Sequence, residues 1–165
     1  MKKKILLLFV ILAIAISVSG CSKHFNTTPT DPAYVQYNAN PVDALNYSLY
    51  TNKEITMVLN ALESHTANAL LVQKGSYPVA DEIANLQTSL DMVGEAIESV
   101  ELLAPPKDYD DERTDILRRM VNAQDTLKAY KTCLEKNELE NIPRYIDMMS
   151  GDFASLKALF NNLWE

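Results

Sequence analysis

Between residues 79 and 100 the apolar side chains fall at alternating steps of four and three: Val79, Ile83, Leu86, Leu90, Val93, Ile97 and Val100. A later run, Ile142, Ile146, Met149, Phe153, Leu156, Phe160 and Leu163, keeps the same rhythm. That spacing puts each set on one face of an α-helix, the stripe expected of a helix that packs along its length against near-parallel neighbours. A third stretch carries Tyr109, Ile116, Met120, Ala123, Leu127, Tyr130 and Leu134, with Leu117 and Val121 widening the face so that it reaches more than one neighbour. The first stretch, from about Val42 to Lys74, is less regular and shows Leu45, Leu49, Ile55, Val58, Leu59, Leu62, Ala69 and Leu70. As a helix it would extend roughly 50 Å, against roughly 35 to 40 Å for the second and fourth. It is therefore expected to protrude or to break, near Thr51-Asn52.

Three breaks separate these stretches: Gly75-Ser76-Tyr77-Pro78, Ala104-Pro105-Pro106-Lys107, and the segment from Asn137 to Pro143. A polar cap followed by proline predicts the first start at Asn40-Pro41-Val42-Asp43, and Pro78 with Asp81 and Glu82 predicts the second. Asp108 and Asp111 have the spacing of a capping pair for the third. Asn141 before Pro143 marks the fourth, with Asn137 and Glu140 capping a preceding turn. Ser150-Gly151 interrupts the fourth stripe chemically but not in phase, so a kink or a close helix approach is expected there. No stretch alternates in the manner of a strand. Short connections between four amphipathic helices predict an all-α, antiparallel up-down-up-down four-helix bundle with a long first helix, spanning residues 41–165.

Ahead of the bundle the pattern changes twice. Lys2, Lys3 and Lys4 precede an uncharged, mostly aliphatic run from Ile5 to Val18, followed by Ser19 and Gly20, which is the layout of a secretory signal peptide. The run is short for a permanent membrane span, which needs about 20 apolar residues. Residues 21–40 are polar and turn-rich, with Thr27, Thr28, Pro29, Thr30, Asp31 and Pro32 in close succession, and read as a disordered, flexible tether. The sequence Val18-Ser19-Gly20-Cys21 resembles the lipobox of bacterial lipoproteins. That resemblance implies a diacylglyceryl group on the Cys21 thiol, removal of residues 1–20, and attachment to the membrane through the lipid. Two acyl chains on one residue anchor stably where one does so only marginally. An uncleaved N-terminal anchor or ordinary signal cleavage are the alternatives, and both also place the remainder outside the cytoplasm. A second resemblance covers Leu102-Leu103-Ala104-Pro105-Pro106-Lys107-Asp108-Tyr109, a leucine-ended helix, Pro-Pro, and an aromatic residue opening the next helix. It is similar to small helical surface lipoproteins of Gram-positive bacteria and implies the same fold and location.

Charge narrows the range of partners. The chain carries 15 Lys and Arg against 22 Asp and Glu, and loss of the three N-terminal lysines leaves 12 against 22, a formal charge of −10. Such a surface repels phosphate polymers and anionic headgroups, so nucleic acid is not an expected partner. With Cys21 lipidated, Cys133 has no partner in the chain for a disulfide. Cys133 reads as a small buried or half-buried hydrophobe in a helix.

The search for catalytic or metal chemistry returns little. Di-iron bundles place Glu-x-x-His units on two helices, whereas His24 falls in the tether and His65 lies alone between Leu62 and Ala69, reading as a satisfied, partly buried histidine. The acidic run Asp108, Asp110, Asp111, Glu112 and Asp115 fails a calcium-loop match, because Arg113 and Arg119 stand where glycine and glutamate are required. It reads as carboxylates favouring the positive end of a helix dipole. Glu95, Glu98 and Glu101 read as a solvated face, and Arg113, Arg118 and Arg119 as intrahelical partners of neighbouring acids. No nucleophile elbow, phosphate loop or dinucleotide fingerprint occurs. Neither a cofactor nor a metal is expected. The leading expectation is a membrane-anchored, extracytoplasmic, non-enzymatic interaction module with a protein or envelope partner, with Trp164, Met148, Tyr34 and Tyr37 as candidate apolar contacts. The second is a small-ligand-binding or sensory bundle using polar residues such as His65, Thr66, Asn68, Gln124 or Arg113. An enzyme is the third.

Overall fold

In a computed structural model, residues 43–162 are described. The signal segment 1–20, the tether 21–40 with Cys21, His24, Tyr34 and Tyr37, and Leu163 and Trp164 lie outside the described residues. Four long helices follow one another: α1 (Ala44–Gln73), α2 (Val79–Leu102), α3 (Asp110–Glu135) and α4 (Ile142–Asn162), with a single 3-10 turn at Leu139–Asn141 leading into α4. Each packs against the next and α4 closes against α1, while the diagonal pair α1 and α3 meet much less. With connections this short, consecutive helices run antiparallel, and the fold is the predicted up-down-up-down four-helix bundle. One end carries the α1–α2 and α3–α4 connections. The other carries the α2–α3 connection, the start of α1 and the end of α4. Among the described residues no helix is long and apolar enough to cross a membrane.

The helix ends show how local chemistry sets these boundaries. Asp43 caps α1, its carboxylate accepting from the backbone N–H of Asn46 at 2.9 Å and from the Asn46 side-chain amide at 2.9 Å. The expected cap Asn40 and Pro41 lie outside the described residues. Pro78 stands one position earlier than predicted, as an extended N-cap residue without a side-chain cap bond, and Asp81 and Glu82 supply the first-turn carboxylates. The capping pair of Asp108 and Asp111 does not form. Asp108 sits in the left-handed region with φ 77°, so the helix begins only at Asp110 and its first turn carries Asp110, Asp111 and Glu112 without a side-chain cap. Asn137 does not cap the following turn either. At φ 56° it terminates α3, its N–H reaching Leu134 O at 3.0 Å while the N–H of Glu138 reaches Cys133 O at 3.0 Å. Gly75, at φ 69°, ends α1 with the same pair of bonds to Val72 and Leu71.

The stripes on α2 and α4 enter the core as predicted: Leu86, Leu90, Val93, Ile97 and Val100 are buried, as are Ile142, Met149 and Leu156, with Ile146, Phe153 and Phe160 packed at the margin. On α3 the central stripe is buried and Leu117 joins its edge, but Val121 is exposed. The reading of α1 needs larger corrections. It neither breaks nor bulges at Thr51-Asn52 but continues for 30 residues. Leu45, Leu49 and Leu70 point outward, being 64%, 46% and 41% exposed. Ile55, Val58, Leu59, Leu62 and Ala69 are buried as read, and the stripe they belong to also takes Tyr47, Thr51, His65 and Val72, in phase at steps of four and three but with polar residues at two of its places. Gly151 is not a point of close approach, since a Cβ added there would meet nothing within 4 Å. Replacing this exposed mid-helix glycine, Gly151→Ala, is expected to raise stability by about 0.5–1 kcal/mol in urea denaturation followed by circular dichroism.

Candidate functional site: two polar layers inside the bundle

The polar places on the α1 stripe define two layers with opposite characters. Near the end with the α1–α2 connection, His65 is 1% exposed and Glu82, one turn into α2, is 0% exposed. His65 Nδ1 lies 2.8 Å from Glu82 Oε1, and His65 Nε2 lies 2.8 Å from Ser89 Oγ. Asn68 donates from Nδ2 to the second carboxylate oxygen of Glu82 at 2.8 Å. Position on α2 also helps, because a carboxylate in the first turn faces the positive end of the helix dipole. Tyr130 of α3 stands close enough for the Glu82 charge to act on it. Burial chiefly, and that charge next, raise the phenol's pKa well above its ordinary value.

The order Ser89, His65, Glu82 is that of a nucleophile, a base and an orienting acid. Its surroundings limit what it can do. Ser89 sits in the middle of α2, where main-chain N–H groups are committed to the helical ladder, so the serine's own backbone offers no donor to an oxyanion. What the arrangement does is join α1 to α2, with both ring nitrogens and both carboxylate oxygens engaged. Removing one partner of a buried pair leaves the other without compensation, which costs about 3–5 kcal/mol. His65→Ala is accordingly expected to destabilise by roughly that amount in urea denaturation, whereas Ser89→Ala, which removes one neutral partner, costs about 1 kcal/mol.

The second layer lies at the opposite end. Tyr47 packs edge-on to Tyr109, ring centroids 5.6 Å apart at 74°, with Leu103 beside them. The hydroxyls of Tyr47 and Thr51, both polar atoms of the Asn52 amide, Oε1 of Glu112 and Nε of Arg113 are buried without hydrogen-bond partners among the described residues. Burial pushes the Tyr47 phenol up to about 12, against a pull downward from the Thr51 hydroxyl beside it, with Glu112, Arg113 and Asp110 near enough to act on its charge. Burial also raises the Glu112 carboxyl above its ordinary 4.5. Each such unsatisfied group costs about 1–3 kcal/mol. Because the folded state favours neutral Glu112, its contribution is complete below the ordinary carboxylate range and is lost as pH rises through the raised value. Glu112→Gln should therefore gain melting temperature relative to the unmodified chain as the buffer moves from acidic to neutral, measured by thermal denaturation across that range.

The other residues singled out from sequence fall as follows. Arg118 and Arg119 pair with Asp115 on α3, and these two guanidiniums hold its carboxyl below the usual range, Arg119 contributing first. Arg119 also crosses to α4, donating to Ser155 O at 2.9 Å and Ser155 Oγ at 2.8 Å. Arg113 departs from the expected acid pairing and donates to the Glu101 carbonyl. Glu95, Glu98 and Glu101 are exposed. Thr66 bonds back to Leu62 O at 2.7 Å. Cys133 is buried, its thiol raised by burial and by Glu138 and Glu140, and it donates to Glu138 O at 3.1 Å. Met148 is exposed. Among the described residues no three His, Cys, Asp or Glu side chains gather where they could hold a metal. Glu82 and Ser89 were not singled out as partners of His65. Glu82 and Ser89 lie in phase with Leu86 and Val93, which marks the buried side of α2 but not the residue each meets there.

An open groove of about 580 Å³ runs between α2 and α3, bordered by Gln87, Asp91, Gly94, Gln124, Lys128 and Lys131. Its polar groups are already paired along their own helices, Gln87 with Asp91 at 2.9 Å and Lys128 with Gln124 at 2.7 Å. Comparison with family models, curated proteins and solved structures returned no match to this chain.

Proposed function

We propose that this chain is a membrane-anchored extracytoplasmic lipoprotein, held by lipid on Cys21, whose bundle is a non-enzymatic interaction module for a protein or envelope partner. The observation that carries the partner-binding part is the outward face of α1. Leu45, Leu49, Tyr50, Leu70 and Leu71 make up five of the nine large apolar side chains exposed among the described residues. Single exposed apolar residues are ordinary, but their concentration on one helix favours that helix as the contact face. The anchor rests on Val18-Ser19-Gly20-Cys21 and on the acidic charge of the remainder, which gives the bundle little affinity of its own for anionic headgroups. Within the bundle, His65 and Asn68 are engaged by Glu82, so a small-ligand reading would fall to the α2–α3 groove.

Photo-crosslinking groups placed at Leu49 and Leu70 in the intact, exported protein should give discrete adducts in cells, while the same group at Val121 on α3 gives none. Adducts at no position, or at all three alike, would refute the assignment to α1. For the anchor, Cys21→Ala should release the protein from the membrane fraction, and retention there would overturn it.

A further inference from the structure

We infer that the first turns of α1, from Ala44 to Asn52, form a strap that swings away from the bundle about Thr51-Asn52 while the rest of the fold stays closed. Three observations place the hinge. The continuous hydrophobic core takes side chains from α1 only from Ile55 onward. Tyr47, one turn before Thr51, belongs to a separate apolar cluster, formed among the described residues with Leu103 and Tyr109. Between them the stripe position is occupied by Thr51, 0% exposed, with Asn52 at 4% beside it, and neither side chain has a hydrogen-bond partner among the described residues.

The energetics favour opening at this place. Water satisfies the Tyr47, Thr51 and Asn52 side chains, and Glu112 and Arg113 opposite them, as soon as the strap lifts. Against that gain stands the apolar burial at the Tyr47 contact, shared with Leu103 and Tyr109, and the burial of Ser48. Beyond Ile55 the balance reverses, since lifting α1 further would open the main core and break the contacts of His65 with Glu82 and Ser89. Opening is thus confined to one end, and it uncovers Leu103 and Tyr109 on the α2–α3 connection. The strap is a property of the fold and does not depend on the partner or anchor proposed above.

Hydrogen exchange read by mass spectrometry on the full chain tests this directly. Amides of Ser48 to Asn52, which lie beyond the free first turn of the helix, should exchange at least about tenfold faster than those of Val58 to Ala69, and faster than the matching turn of α2, Ile83 to Gln87. Thr51→Val and Asn52→Leu should each slow exchange in the strap by roughly tenfold and leave Val58 to Ala69 unchanged. Tyr47→Ala should speed exchange in the strap alone, with global unfolding in urea little altered. Equal exchange along α1, or slowing that spreads over the whole helix in the Thr51 and Asn52 variants, would overturn the proposal. The wild-type comparison between α1 and α2 decides the matter even if a variant fails to fold.

Discussion

The buried contact between His65 and Glu82 sets the terms for the rest of this bundle. Each side chain is costly to bury alone, and the cost is offset only when α1 and α2 meet at one register, with Nδ1 of the ring opposite one carboxylate oxygen and the Asn68 amide on the other. Leucine stripes slide past one another at modest cost, because many registers bury similar areas. A polar pair within hydrogen-bond distance tolerates no such slip. The pair therefore fixes which residues of α1 and α2 face each other, and with them the alignment against which α3 and α4 pack. In that knot the Ser89, His65 and Glu82 groups are satisfied by one another within the helix interface.

How far the sequence reveals this depends on whether a stripe is chemically uniform. On α2 and α4 every stripe position up to the last turn is apolar, and both helices were placed from spacing alone. On α1 the true stripe carries Thr51 and His65, so a search for apolar periodicity drifts to Leu45, Leu49 and Leu70, which face outward. The break expected near Thr51-Asn52 from the length of the helix does not occur. Backbone hydrogen bonding carries the helix through these residues, and what is interrupted is the apolar packing beside them. Caps were missed for a related reason. Asp108 and Asn137 both occupy left-handed conformations, which move the helix ends by a residue or two in ways that spacing rules for capping pairs do not anticipate.

His65 could be recognised as satisfied and partly buried from its neighbours, whereas it is 1% exposed, and its partners could not be named from the sequence. Glu82 has an adequate local explanation as a first-turn carboxylate, and Ser89 has none that distinguishes it from other helical serines. Their roles come from the α1–α2 pairing, which sets residues 17 and 24 positions away against the imidazole. Such contacts emerge only when helix phase and register are considered together.

The two polar layers make the bundle unequal along its length. At one end His65, Glu82, Asn68 and Ser89 are bonded to each other across helices, with the Tyr130 hydroxyl buried beside them without a partner among the described residues; at the other, most of the enclosed polar atoms lack one. Apolar residues of similar size at Thr51 and Asn52 would remove the penalty and extend the main core to the start of α1, so stability alone does not account for the polar choice. A design that keeps one end of a helix weakly held, beside a core strong enough to stand without it, retains local opening without global unfolding. Release of the first turns leaves the His65 layer and the core from Ile55 onward in place, because neither draws on residues before the hinge. The weakness thus falls where the bundle can open without losing its register.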